Sequence, residues 1–118
     1  MSLESIVQDK SVIFSYVRKS GNPIGVILSK KVVKKVKGKK RGKVFFKIGW
    51  SKCNRKHGDK FDKEIGVNMA LSRCITGQHD KDTAIVPFHS RDFKKFVERM
   101  KIYYKMKNVV LNFDYKLS

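Results

Sequence analysis

The sequence predicts an α+β domain in which an N-terminal antiparallel β-sheet of about four strands precedes two C-terminal helices and a short final strand. Through the first fifty residues, apolar segments of strand length alternate with turn-forming clusters, and after residue 59 the apolar spacing changes to three and four. Size sets the rest. A chain of 118 residues with 41% hydrophobic and 11% aromatic content suffices for one core and is too short for two, so residues 1–118 are read as a single domain.

Residues 1–10 are polar and expected to fray. From Ser11 to Val17, SVIFSYV alternates, with Val12, Phe14 and Tyr16 on one side, and predicts a strand with one buried face. KSGNP, Lys19 to Pro23, supplies a permissive φ at Gly21 and a fixed one at Pro23, which makes a turn. The return strand is Ile24 to Leu28, and a less tidy alternation from Lys31 to Lys37 predicts a third. GKKRG, Gly38 to Gly42, then closes a second hairpin onto Val44 to Trp50.

The first long helix is expected over residues 59–75, begun by Asp59 as cap with Asp62 in its first turn. Phe61, Ile65 and Met69 repeat on one side while Val67, Ala70, Leu71 and Cys74 occupy the other, so little of it is left for water. Gly66 in its interior costs ~1 kcal/mol against alanine, which implies close packing on another backbone, and Gly77 is the expected stop. After QHDKD, the segment TAIVPF is short and extended. The second helix, residues 90–106 with Ser90 as cap, carries Phe93, Phe96, Val97, Met100, Tyr103 and Tyr104 as an amphipathic stripe that reads as core. Val109 to Tyr115, VVLNFDY, returns to strand composition and either completes the sheet or pairs with another chain.

Charge points to an anionic partner. Twenty-eight Lys and Arg against ten Asp and Glu give a formal net charge of +18, and fourteen of the cations fall between Lys30 and Lys60 beside one acid, Asp59. A few lysines would protect a sheet edge; a block of this size exceeds that need. No apolar run is long enough for a membrane span, and the first residues lack the basic-then-apolar order of a signal peptide. The expectation is a soluble intracellular protein with no membrane partner, whose Cys53 and Cys74 stay reduced.

The chemistry converges on the stretch from Val44 to Cys74, a strand, loop and helix unit. Its loop and helix N-terminus direct backbone N–H groups and a partial positive charge at one point, around which stand Lys52, Asn54, Arg55, Lys56 and His57. Cys53, His57, Cys74 and His79 could be written as two metal-ligand pairs, but neither spacing is that of a zinc finger and Cys74 lies on an apolar helix flank, so no metal and no cofactor are expected. No nucleophile, base and orienting acid are brought together by local spacing, and no phosphate-cradling glycine motif is present, so the chain is not read as an enzyme.

The pattern G-W-S-x-C-N, then D-K-F-D-K-x-x-G-x-N-M-A-L-S-R, then F-x-E-R-M before an aromatic pair, resembles a set of small phage-encoded proteins across about residues 44–104. Among them it is most similar to the phage Thoeris anti-defence family, sponges that sequester cyclic ADP-ribose isomers. The resemblance implies a sheet followed by C-terminal helices and a homo-oligomer, a dimer or higher, in the cytoplasm of an infected bacterial host. It also implies a cyclic nucleotide signal, a cyclic ADP-ribose isomer or a cyclic oligonucleotide, held without being degraded. The positions carried over are Asn54 and Arg73, with Phe45 or Phe46 as stacking group; Lys52 and Arg55 complete the expected ligand site. His57 and Gly58 look like an insertion relative to that family, and the Lys30–Lys60 charge exceeds what a small dianion needs.

Composition supports an alternative: a nucleic-acid-binding protein whose Lys30–Lys60 ribbon tracks the phosphate backbone. That reading names Lys37, Lys39, Lys40, Arg41 and Lys43 as phosphate contacts, and Trp50, Phe45 or Phe46 as base-stacking groups. A basic inhibitor docking on an acidic protein fits the same charge and has no motif behind it.

Overall fold

The computed structural model describes residues 2–35, 37–38, 42–52, 62–76, 85–111 and 115–117. The fold is α+β: a three-stranded antiparallel sheet, a small parallel strand pair and three helices. Strands β1 (Val12–Lys19), β2 (Asn22–Lys34) and β3 (Lys43–Lys52) follow in chain order, with β2 in the centre. The two strands expected at Ile24–Leu28 and Lys31–Lys37 are one. A polar Ser29 and the first lysine of the basic run read as a break, yet Ser29 is fully buried and Lys30 pairs with Val12 on one side and Lys47 on the other. A central strand hydrogen-bonded along both edges carries such residues through.

The first hairpin turns on two residues, Ser20 and Gly21, both with positive φ (52° and 80°), the backbone of a type I′ turn. Pro23 follows where the register shifts between Val17 and Arg18, a position at which its missing N–H breaks no ladder.

Residues 3–8, expected to fray, form helix α1 (Leu3–Gln8). Ser2 caps it by accepting the Ser5 N–H at 3.2 Å, and Ile6 is driven into the core. The first long helix is α2 (Lys63–Thr76), and its cap is Asp62, whose carboxylate accepts the Ile65 N–H at 3.0 Å. The expected cap Asp59 and stop Gly77 lie outside the described residues. Nor is α2 wrapped on all sides: Val67, Ala70, Leu71 and Cys74 are buried, but Ile65 and Met69 face solvent. Helix α3 (Ser90–Tyr103) has His89, not the expected Ser90, at its cap position, and of the expected stripe it buries Phe93, Phe96 and Met100, half-buries Val97 and leaves Tyr103 exposed, with half-buried Tyr104 just beyond its end. A turn at Tyr104 and Lys105 returns the chain along β3, and strand β4 (Ile85–Val86) pairs in parallel with β5 (Lys116–Leu117).

The sheet has a core on each face. Ile13, Val17, Ile27, Phe46, Ile48 and Trp50 pack with Val86, Phe88 and the α3 stripe, whereas Val12, Val26 and Leu28 pack with Ile6 and α2. Both strand parities are therefore apolar in β1 and β2, which is why the expected single buried face at Val12, Phe14 and Tyr16 accounts for only half of the burial. Close approach does occur on α2, with the room made by the strand. A Cβ on Gly49 of β3 would stand 2.1 Å from the Ala70 carbonyl oxygen. No helix among the described residues is long and apolar enough to cross a membrane.

Candidate nucleic-acid interface

Strand β1 stops pairing at Val12 opposite Lys30, but β2 and β3 continue through four further pairs, Lys31 with Phe46, Val32 with Phe45, Val33 with Val44 and Lys34 with Lys43. The continuation is a two-stranded ribbon. Side chains alternate between faces along each strand, and paired residues share a face. One face of the ribbon therefore reads, in rows, Lys30 with Lys47, Val32 with Phe45, and Lys34 with Lys43.

This arrangement works against the fold. Like charges directly opposite each other in a sheet repel, and here two such rows stand two residues either side of an apolar row. Among the described residues none of the four lysines has an acid within ion-pair distance; the single salt bridge joins Lys101 to Glu98 on α3. Partial compensation reaches the inner row only. Asp9, held below the usual carboxylate range mainly by hydrogen bonds from the Ser11 hydroxyl and N–H, also feels the Lys30 charge. Cys74, in the last turn of α2, donates to the Lys47 carbonyl at 3.3 Å, so the partial negative end of that helix lies close by. Burial pushes the Cys74 thiol up to about 11 despite Lys47 and Lys30, which pull it down. The outer row, Lys34 and Lys43, is exposed and continues into exposed Lys35 and Lys37.

The aromatic candidates separate cleanly. Phe46 is fully buried and its ring tilts against Tyr104, 4.7 Å between centroids. Trp50 is 5% exposed and meets Tyr115 edge to face. Both belong to the α3-side core, and neither presents a face to a ligand. Phe45 points the other way, is half-buried, and belongs to neither core cluster.

Arg73 is half-buried and donates through Nη1 to the Trp50 carbonyl at 2.9 Å. Two further bonds meet the outer edge of β3: the Phe46 N–H donates to Val110 O at 2.9 Å, and the Tyr115 hydroxyl to Ile48 O at 3.4 Å. The Val109–Tyr115 segment, expected as a strand, thus touches this edge through an isolated parallel bridge between Phe46 and Leu111. The opposite edge is covered similarly. Arg99 of α3 donates to Phe14 O and to the Ser15 hydroxyl, while just before β1 Tyr103 and Tyr104 donate to Lys10 O and to Ser11 O, the latter already accepting the Lys31 N–H.

Of the expected ligand site, Lys52 ends β3 and Arg73 bonds the carbonyl of Trp50, two residues before it. Phe45 lies five residues back along the strand from Trp50, ~16 Å away, so these groups do not share one pocket. Asn54, Arg55, Lys56 and His57, and with them Lys39, Lys40 and Arg41, lie outside the described residues. Arg73 lines none of three described cavities; the largest, about 670 Å³, runs along the outer side of α3 past Arg91, Lys94, Lys95 and Arg99. Among the described residues no three His, Cys, Asp or Glu cluster as metal ligands; Cys53, His57 and His79 fall outside them.

Lys30, Lys34, Lys47 and Val32 were not singled out by the sequence reading. Their signal is a symmetry: Lys30 and Lys34 mirror Lys47 and Lys43 about the Gly38 turn, which is visible once that hairpin is given its register. Comparison with known proteins adds no relative, since no family model, no curated protein and no solved structure matches the chain.

Proposed function

We propose that the protein binds nucleic acid through the β2–β3 ribbon, with Lys30, Lys34, Lys43 and Lys47 contacting phosphates. One observation carries this reading: two rows of paired lysines share a sheet face without ion-paired acids among the described residues, an arrangement that costs stability and that a polyanion relieves. Phosphate contacts release condensed counterions, so binding should weaken linearly in log salt. Changing the four lysines together to glutamine should flatten that slope by about 3 units, at 0.7–0.9 per contact. Changing Arg91, Lys94, Lys95 and Lys101 on α3 instead removes the same charge from another surface. Equal flattening by both sets would mean that bulk charge binds, and the ribbon reading would fail.

A second reading is capture of a cyclic nucleotide signal beside Arg73, in a phage anti-defence role. Its support is that Arg73 spends one N–H on the Trp50 carbonyl and makes no ion pair among the described residues, which leaves the guanidinium with further donors for a phosphate. Heating the protein after incubation with cyclic ADP-ribose isomers and cyclic oligonucleotides would release intact ligand if this reading holds. Recovery of none, together with salt-dependent oligonucleotide binding, would leave the ribbon reading alone.

A further inference from the structure

We infer that the ribbon takes single-stranded nucleic acid, one unpaired base stacking on Phe45 between the two lysine rows. The inference rests on the ribbon reading and names its substrate class. Phe45 stands opposite Val32, and each lysine row lies two residues away, ~7 Å along the strands. The row is half-buried, belongs to neither core cluster, and Phe45 makes no ring contact among the described residues. An aromatic face flanked by cations on both sides suits a base whose neighbouring phosphates reach outwards to either row.

The composition of this face selects against duplex. A two-stranded ribbon that reads a double helix in its major groove does so with side chains that hydrogen-bond base edges, such as Asn, Gln, Arg or Ser. Between Lys30 and Lys34, and between Lys43 and Lys47, this face holds only lysine, valine and phenylalanine. In a duplex the base faces are covered by their neighbours; in a single strand they are open, and every base has one. Stacking of this kind tolerates sequence, so binding should depend on strandedness and little on base order.

The test uses fluorescence anisotropy with a labelled 15-nucleotide oligo-dT, a mixed-sequence strand and the duplex of that strand, at about physiological ionic strength. Single strands should bind at least ten-fold tighter than duplex. Phe45→Ala should weaken single-strand binding roughly ten- to hundred-fold with the salt slope unchanged, because a stacking contact and no phosphate contact is lost. Phe45→Leu keeps an apolar side chain on the row if alanine unfolds the ribbon, and should show the same direction. Phe45→Trp should retain affinity, and comparison with the unsubstituted protein, whose Trp50 is buried, should show its added emission quenched on binding. Equal affinity for duplex and single strand, or single-strand affinity indifferent to both Phe45→Ala and Phe45→Leu, would overturn the inference and leave the ribbon reading intact. Failure of the unsubstituted protein to bind any oligonucleotide would overturn the ribbon reading itself.

Discussion

Replacing Gly49 with alanine tests how closely α2 is seated on the sheet. The new Cβ would lie 2.1 Å from Ala70 O, 2.7 Å from Cys74 N and 2.9 Å from Cys74 Cβ, and the first two are helix backbone that no rotamer change can move. The helix must retreat by about 1 Å to reach ordinary contact. Overpacking of that kind costs ~1–3 kcal/mol. Retreat also stretches the bond from the Ser51 hydroxyl to Gly66 O, 2.7 Å in a buried setting, and an unpaired buried group adds ~1–3 kcal/mol. The total, ~2–6 kcal/mol, is a large part of the ~5–15 kcal/mol that holds a domain together. Urea unfolding should show a midpoint lower by ~2 M, given a slope of ~1–3 kcal/mol per molar. Gly21→Ala is the control. No atom lies within 4 Å of its built Cβ, so only the positive φ of 80° opposes the change, at ~1–2 kcal/mol. If Gly49→Ala proves no more harmful than Gly21→Ala, the close seating of α2 on β3 is wrong.

Further outcomes follow from the same structure. Arg73→Met should cost ~1–2 kcal/mol in denaturant unfolding by uncovering the Trp50 carbonyl, yet change oligonucleotide affinity less than two-fold; a large affinity loss would place Arg73 in the interface. Asp62→Ala should destabilise by ~1 kcal/mol through loss of the α2 cap, and an unchanged unfolding midpoint would mean that another residue caps the helix. Burial raises the Cys74 thiol from 9.0 to about 11 and the Tyr104 hydroxyl from 10.0 to about 12. The unfolded chain therefore loses these protons first. Stability should be complete below pH about 9 and erode as pH rises towards about 12, and Cys74→Val should remove the lower part of that decline in a pH series of unfolding midpoints.

Periodicity made both long helices legible, the α3 stripe at Phe93, Phe96 and Met100 meeting one core and Val67, Ala70, Leu71 and Cys74 the other, but it overstated the burial of α2, whose Ile65 and Met69 face solvent. It failed where burial is two-sided or short. In β2 the central position, which depends on the partners of Lys30, carries the strand through Ser29, and no local pattern reports those partners. Helix α1 is six residues long, and its signal reduces to Ser2 as cap and Ile6 as anchor. The structural bonds of arginine and tyrosine were invisible for a related reason. The polar ends of Arg73, Arg99, Tyr103 and Tyr104 also bond backbone carbonyls 23 to 93 residues away, and no local pattern reports such partners. The lysine rows needed only the register of one hairpin, and Phe45 could be told from Phe46 only by knowing which strand parity faces α3.

The covering of the outer edge of β3 has a consequence during translation. Ile48 and the Tyr115 hydroxyl that meets its carbonyl are 67 residues apart, and a ribosome adding ~5–20 residues per second needs roughly 3–13 s to cross that interval. For those seconds the nascent chain can already pair β1, β2 and β3 while the outer side of β3 has neither Val110 nor Tyr115 to meet it. Neighbouring nascent chains on one message would be free to join there. Lys43 and Lys47, spaced along that strand, hold such chains apart by charge until the C-terminal segment arrives, so lysines that burden the finished sheet shield it while it is being made.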